Sequence, residues 1–205
     1  MKGLLLSIVA SLSCLAVSAE GPTIVDEWSS VQAPPAPALV APVIDPSTTA
    51  LLLLDFQDRI IAGRPRAAAT VPRVARLLAF ARNSGILVAY SLAGQSGPES
   101  IVPELKPAPS DHIVRSSVDK FYGTDLEAWL KSKGIKTLVI TGLVAEGAVL
   151  GTSIGACLRG FKVIVPVDGT ASSEPFAEKY VAWHLTNAPA VRGNVTLTRI
   201  DLLVH

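Results

Sequence analysis

Four consecutive leucines, Leu51 to Leu54, run directly into Asp55. A carboxylate flanked by that much apolar surface needs a cation nearby to stay ionised. Arg115 and Lys120 are the two side chains placed to supply one. Each of the three also has a plainer reading: Asp55 as a strand-end or helix-capping carboxylate, and either cation as a solvated surface charge. A second feature is the stretch Gly142-Leu143-Val144-Ala145-Glu146-Gly147-Ala148. Small residues between a strand and a helix leave backbone N–H groups free to bind an oxyanion, although an ordinary tight turn has the same composition. Neither Gly147 nor Ala148 carries a nucleophile. Cys157 follows on the same predicted helix, but a rotation of about 100° per residue turns it to the face opposite Ala148. It reads as a small buried hydrophobe.

These residues are positioned by alternating patterns. Ala50–Leu54 is a continuous apolar run, which predicts a strand buried on both faces. Helical spacing over Val71–Asn83 ends at Gly85, and Ile86–Leu92 and His112–Arg115 read as strands. Thr124–Lys133 predicts a helix with Thr124 as N-cap and Glu127 completing a capping box. Lys136–Thr141 is a strand, Glu146–Arg159 a helix and Phe161–Val167 a strand. Phe176–Asn187 and Asn194–Ile200 are the last helix and strand. Strands alternating with helices predict an α/β fold with a six-stranded, mostly parallel sheet covered on both faces. Ligands in such sheets bind beyond the carboxyl ends of the strands, which selects Asp55, the Gly142–Ala148 stretch and Asp168.

Composition narrows the function classes. Lys plus Arg is 18 against 17 Asp plus Glu, a balance that argues against nucleic acid as a partner. Two cysteines exclude a disulfide scaffold. His112, His184 and His205 fall on different elements and read as surface or core-edge residues, so no metal and no cofactor is expected. Lys2, an apolar run from Leu4 to Val17 and the small residues Val17-Ser18-Ala19 make residues 1–19 a signal peptide cleaved after Ala19. The mature chain is then secreted or periplasmic, with no membrane contact. Residues 20–46 form a proline-rich arm whose prolines exclude a helix or paired strand. The arm lies on the domain or a neighbouring subunit, or is a disordered linker. Residues 47–205 form the domain.

Several motifs carry a family resemblance. Leu54-Asp55-Phe56-Gln57 is followed by Phe121-Tyr122-Gly123-Thr124-Asp125-Leu126. Val139-Ile140-Thr141-Gly142 with Thr152 and Gly160-Phe161 comes next, and then Val167-Asp168-Gly169. In this order they resemble the isochorismatase-like hydrolases, or cysteine hydrolase superfamily, over roughly residues 48 to 200. The resemblance implies a Rossmann-like three-layer α/β/α sandwich, a homo-oligomer and a small-molecule substrate or ligand. It implies an Asp–Lys–Cys triad in which the Asp falls on Asp55. The lysine, six residues before the Phe121 run, falls on Arg115, with Lys120 where the family has a small residue. The nucleophilic cysteine falls on Ala148. It further implies an oxyanion hole from the backbone N–H groups of Val144 and Ala148, and a cis bond at Leu143-Val144. The stretch Ala93-Gly94-Gln95-Ser96, where relatives carry a metal-binding histidine, has none. Phe56, Gln57, Phe121 and Tyr122 are the candidate pocket residues.

With no thiol at 148, thiol amidase chemistry is disfavoured. Two functions follow. One is a hydrolase that acts on a small polar metabolite through Asp55 with Arg115 or Lys120. The other is a non-catalytic pseudoenzyme that binds a small molecule or anion in the same pocket. An open pocket over Asp55 favours the first, and a side chain filling the space above Ala148 favours the second.

Overall fold

The computed structural model describes residues 21–204. The signal peptide expected at residues 1–19 therefore lies outside the described residues. Contacts divide the chain into two units between Pro34 and Pro35. The first contains the short helix α1 (Ile24–Glu27), where the Thr23 backbone N–H and hydroxyl both donate to Asp26, at 2.8 and 2.9 Å. The expectation that prolines exclude any helix from residues 20–46 fails at this turn, which is complete before the closely spaced prolines begin.

The second unit takes in residues 35–46 as well as the expected domain. Within it Val40 donates its backbone N–H to the Leu197 carbonyl at 3.0 Å, so part of the arm lies against a strand. The sheet is built from β1 (Thr49–Leu54), β2 (Leu87–Leu92), β3 (His112–Arg115), β4 (Thr137–Leu143), β5 (Lys162–Pro166), β6 (Thr170–Ala171) and β7 (Val195–Thr198). Its order is β3-β2-β1-β4-β5-β7, with β6 paired to the end of β4, and every one of these pairings is parallel. The sheet thus has seven strands rather than the expected six, because a two-residue strand is too short to leave an apolar pattern.

Helices cover both faces. Leu51 and Leu53 pack with Val71, Val74, Leu77 and Leu78 of α3 (Pro65–Asn83). Ala50, Leu52 and Leu54 pack on the other face with α4 (Leu126–Ser132), α5 (Leu150–Leu158) and α6 (Pro175–Asn187). Every β1 side chain is therefore buried, which accounts for a run without alternation. A four-residue helix, α2 (Asp58–Ile61), precedes α3. Among the described residues no helix is long and apolar enough to cross a membrane.

Two expected helix starts differ. No capping box forms at α4. The Thr124 hydroxyl donates to the Lys120 carbonyl at 2.7 Å, and Glu127 accepts from Lys131 and Arg159 at 2.6 and 3.0 Å. The helix expected from Glu146 opens instead as a wide π turn over Ala145–Val149, which continues into α5.

β1 and β4 are neighbours, yet the helices that follow them lie on opposite faces of the sheet. That is the topological switch point at which α/β sheets open a crevice beyond their strand ends. Gly142 keeps the two strands close there. It pairs in register with Leu54, and a Cβ at 142 would stand 2.5 Å from both the Leu54 carbonyl oxygen and its Cβ. We expect Gly142→Ala to lower stability by at least about 2 kcal/mol, read as a shift in the urea midpoint, since both strand ends are fixed by the sheet.

Candidate active site

Asp55 leaves β1 with φ of 59°, the left-handed region that few non-glycine residues adopt. The turn is held by its surroundings. Its N–H donates to the Ser91 carbonyl at 3.2 Å, and its carbonyl accepts from Gln57 at 2.7 Å. Asp55 is 4% exposed and both carboxylate oxygens accept. Oδ1 takes the Ser91 hydroxyl at 2.6 Å, and Oδ2 takes the Lys120 ammonium at 2.7 Å.

Lys120 is 0% exposed. Its Nζ also donates to the Ser117 carbonyl at 2.5 Å and the Ser116 carbonyl at 3.4 Å. All three donors of the ammonium are thereby directed, as a buried cation requires. The loop after β3 folds back over its own lysine, and this turns Lys120 inward.

Arg115 does not partner Asp55. It ends β3 at an exposed position, and its guanidinium donates to the Gly94 carbonyl. The expectation that Arg115 holds the lysine's place is therefore corrected to Lys120. Counting back from a motif fixes distance along the chain, not the direction in which a loop turns a side chain.

Asp55, Val144, Gly147 and Ala148 line one cavity of about 670 Å³ at the switch point. No side chain beyond the Ala148 methyl occupies position 148. The Leu143-Val144 bond is cis. Cys157, the one cysteine among the described residues, lies in the core away from this cavity, and burial pushes its thiol up from the ordinary value. Asp168 is structural: its carboxylate accepts the Ile200 backbone N–H at 2.9 Å.

The four candidate pocket residues do not line the cavity. Phe56 is buried in the core on the α3 side. Gln57 is buried too, accepting from Ala93 N–H at 2.8 Å and donating to Ser100 at 3.0 Å, so it fixes the loop after β2. Phe121 stacks on Phe161 with centroids 5.9 Å apart. Tyr122 is 78% exposed. Aromatic type alone does not separate core from pocket.

Sequence reading missed Ser91, Arg59 and Arg64. Ser91 pairs in register with Leu54, which sets it beside the Asp55 turn. A lone serine inside the apolar run Leu87–Leu92 was its signal. Arg59 and Arg64 line the cavity from either end of the α2 turn. No apolar period marks so short an element.

The chain matches the isochorismatase domain family over residues 49–198 and belongs to that family. An uncharacterized isochorismatase family protein, YecD of Escherichia coli O157:H7, is 30% identical over 156 residues, covering 63% of this chain and 83% of that protein. Streptothricin hydrolase of Streptomyces noursei is 30% identical over 153 residues, covering 67% of this chain and 58% of the hydrolase. An isochorismatase family protein from Desulfovibrio vulgaris has the same fold, with a TM-score of 0.69 at 22% identity over 76% of this chain and 95% of its own.

The two candidate cations make different predictions. Lys120→Met strands the Asp55 carboxylate in the interior and should cost about 3–5 kcal/mol in urea denaturation. Adding Asp55→Asn should recover part of that loss. Arg115→Met, at an exposed position, should change stability by less than about 0.5 kcal/mol. In the folded protein Cys157 should resist a thiol-labelling reagent at neutral pH and react fully once urea is added.

Proposed function

We propose that this protein is a hydrolase of a small polar metabolite that works from Asp55 without a cysteine nucleophile. One observation carries the reading. A buried carboxylate, accepting from Ser91 and Lys120, opens onto a cavity whose wall at position 148 is only a methyl group. A carboxylate oxygen that accepts one hydrogen bond retains a further lone pair. In the reaction we infer, a water above Ala148 attacks the substrate's carbonyl carbon and gives its proton to Asp55. The carbonyl π electrons move onto oxygen, where the backbone N–H groups of Val144 and Ala148 receive the charge. Asp55 then passes the proton to the leaving group as its bond to carbon breaks. Lys120 holds the carboxylate in place and balances its charge. A hydrolase among the relatives supports the general class.

The absence of any nucleophilic side chain at 147 and 148 favours a second reading, in which the same cavity binds a small molecule or anion without turnover. The leader-like pattern of residues 1–19 supports a place outside the cytoplasm, and the family resemblance supports an assembly of several copies.

The test is a screen of amides, ureides and vinyl ethers, followed by Asp55→Asn. The variant should lower kcat/KM on any substrate found by at least about a hundredfold. An unchanged rate would rule out Asp55 as the proton carrier. Ala148→Cys should create amidase activity that iodoacetamide abolishes, because the variant returns a thiol to a wall shared with Asp55.

A further inference from the structure

Three arginines, Arg59, Arg64 and Arg115, line the same cavity as Asp55. Four other arginines of the domain are paired with carboxylates: Arg66 with Glu178, Arg76 with Asp201, Arg82 with Asp111, and Arg159 with Asp119 and Glu127. The three at the cavity meet only neutral oxygens. Arg59 donates to the Ala93 carbonyl, Arg115 to the Gly94 carbonyl, and Arg64 to the Ile60 carbonyl and the Ser173 hydroxyl. Asp55 is the one carboxylate on the cavity wall, and Lys120 already neutralises it. The cavity therefore carries a positive surplus with no internal counter-ion.

Arg59 and Arg115 are anchored on consecutive carbonyls of one loop, those of Ala93 and Gly94, and both line the cavity. Gly94 makes that possible. Its φ is +67°, and a Cβ there would stand 2.7 Å from Arg59 Nη2. Gln57 fixes the same loop through the Ala93 N–H at 2.8 Å. A guanidinium has five N–H donors, and the anchoring bonds leave most of them free for a ligand. Pre-placed guanidinium groups without a counter-ion favour a planar or tetrahedral oxyanion.

We propose that Arg59 and Arg115, with Arg64 beside them, bind an anionic group of the substrate, a carboxylate or a phosphate, and so hold its scissile bond over Asp55. This rests on the hydrolase reading for the word substrate, but not for the binding itself.

Titration calorimetry on the full chain with succinate, inorganic phosphate and neutral succinamide tests it. Either anion should bind saturably and succinamide should not. The tighter anion identifies the group. Binding should weaken as salt rises. Arg59→Gln and Arg115→Gln should each weaken anion binding about tenfold, the loss of one charge-assisted hydrogen bond. Arg59→Lys, which keeps the charge but not the planar fork, should weaken it less than Arg59→Gln. Arg73→Gln removes an arginine of α3 that lies outside the cavity, and should change nothing. The proposal is overturned if neither anion binds at millimolar concentration, if succinamide binds as tightly, or if the glutamine variants bind like the parent. The parent protein separates the two readings. Anion binding by a parent that turns over none of the screened substrates leaves the arginine site standing and removes the hydrolase. Turnover of neutral substrates without anion binding does the reverse.

Discussion

The buried ion pair between Lys120 and Asp55 sets the demands that the surrounding structure meets. The partners are 65 residues apart in sequence, and both sit out of water. A charge in that position is tolerable only when its attraction and hydrogen bonds offset its lost hydration. The Ser91 hydroxyl, the Ser116 and Ser117 carbonyls and the left-handed turn at Asp55 supply that compensation together. They come from the ends of β1 and β2 and from the loop after β3, so the pair forms only once three neighbouring strands are in register.

The sheet makes that register unambiguous. β1 is buried on both faces, and its leucines alternate between two separate cores. A slip by one residue would carry Asp55 to the wrong face along with every leucine. The same geometry brings β4 against β1 and places the Ala145–Val149 turn across from Asp55, with Gly142 permitting the approach.

The fold was legible wherever burial left a long pattern. Apolar runs gave six strands to within a few residues, and β3 to the residue. The first turns of α3 went unread because Pro65 and Arg66 carry no apolar spacing, although Pro65 sits at the first helical position, where proline costs no hydrogen bond. The site was half legible. Asp55 and Ala148 follow from strand ends and motif order, both of which are properties of the chain. Lys120 was displaced in favour of Arg115 because that choice depends on how a five-residue loop folds. Ser91, Arg59 and Arg64 act through tertiary placement, and single polar residues carry no period to betray it.

The ion pair also weighs on function. A buried Lys–Asp pair is a poor device for stability alone, since well-packed apolar residues of the same volume are commonly as stable or more so. A fold that needed only to fill the space behind the switch point would be served as well by a leucine and a methionine. Here Asp55 instead lines an open cavity, and it adopts a backbone conformation that costs of order 1 kcal/mol or more. Strain and a buried charge held together beside an open space make Asp55 the candidate functional group of the cavity. The methyl group of Ala148 offers no nucleophile, but the carboxylate, its cation and the cavity are all present.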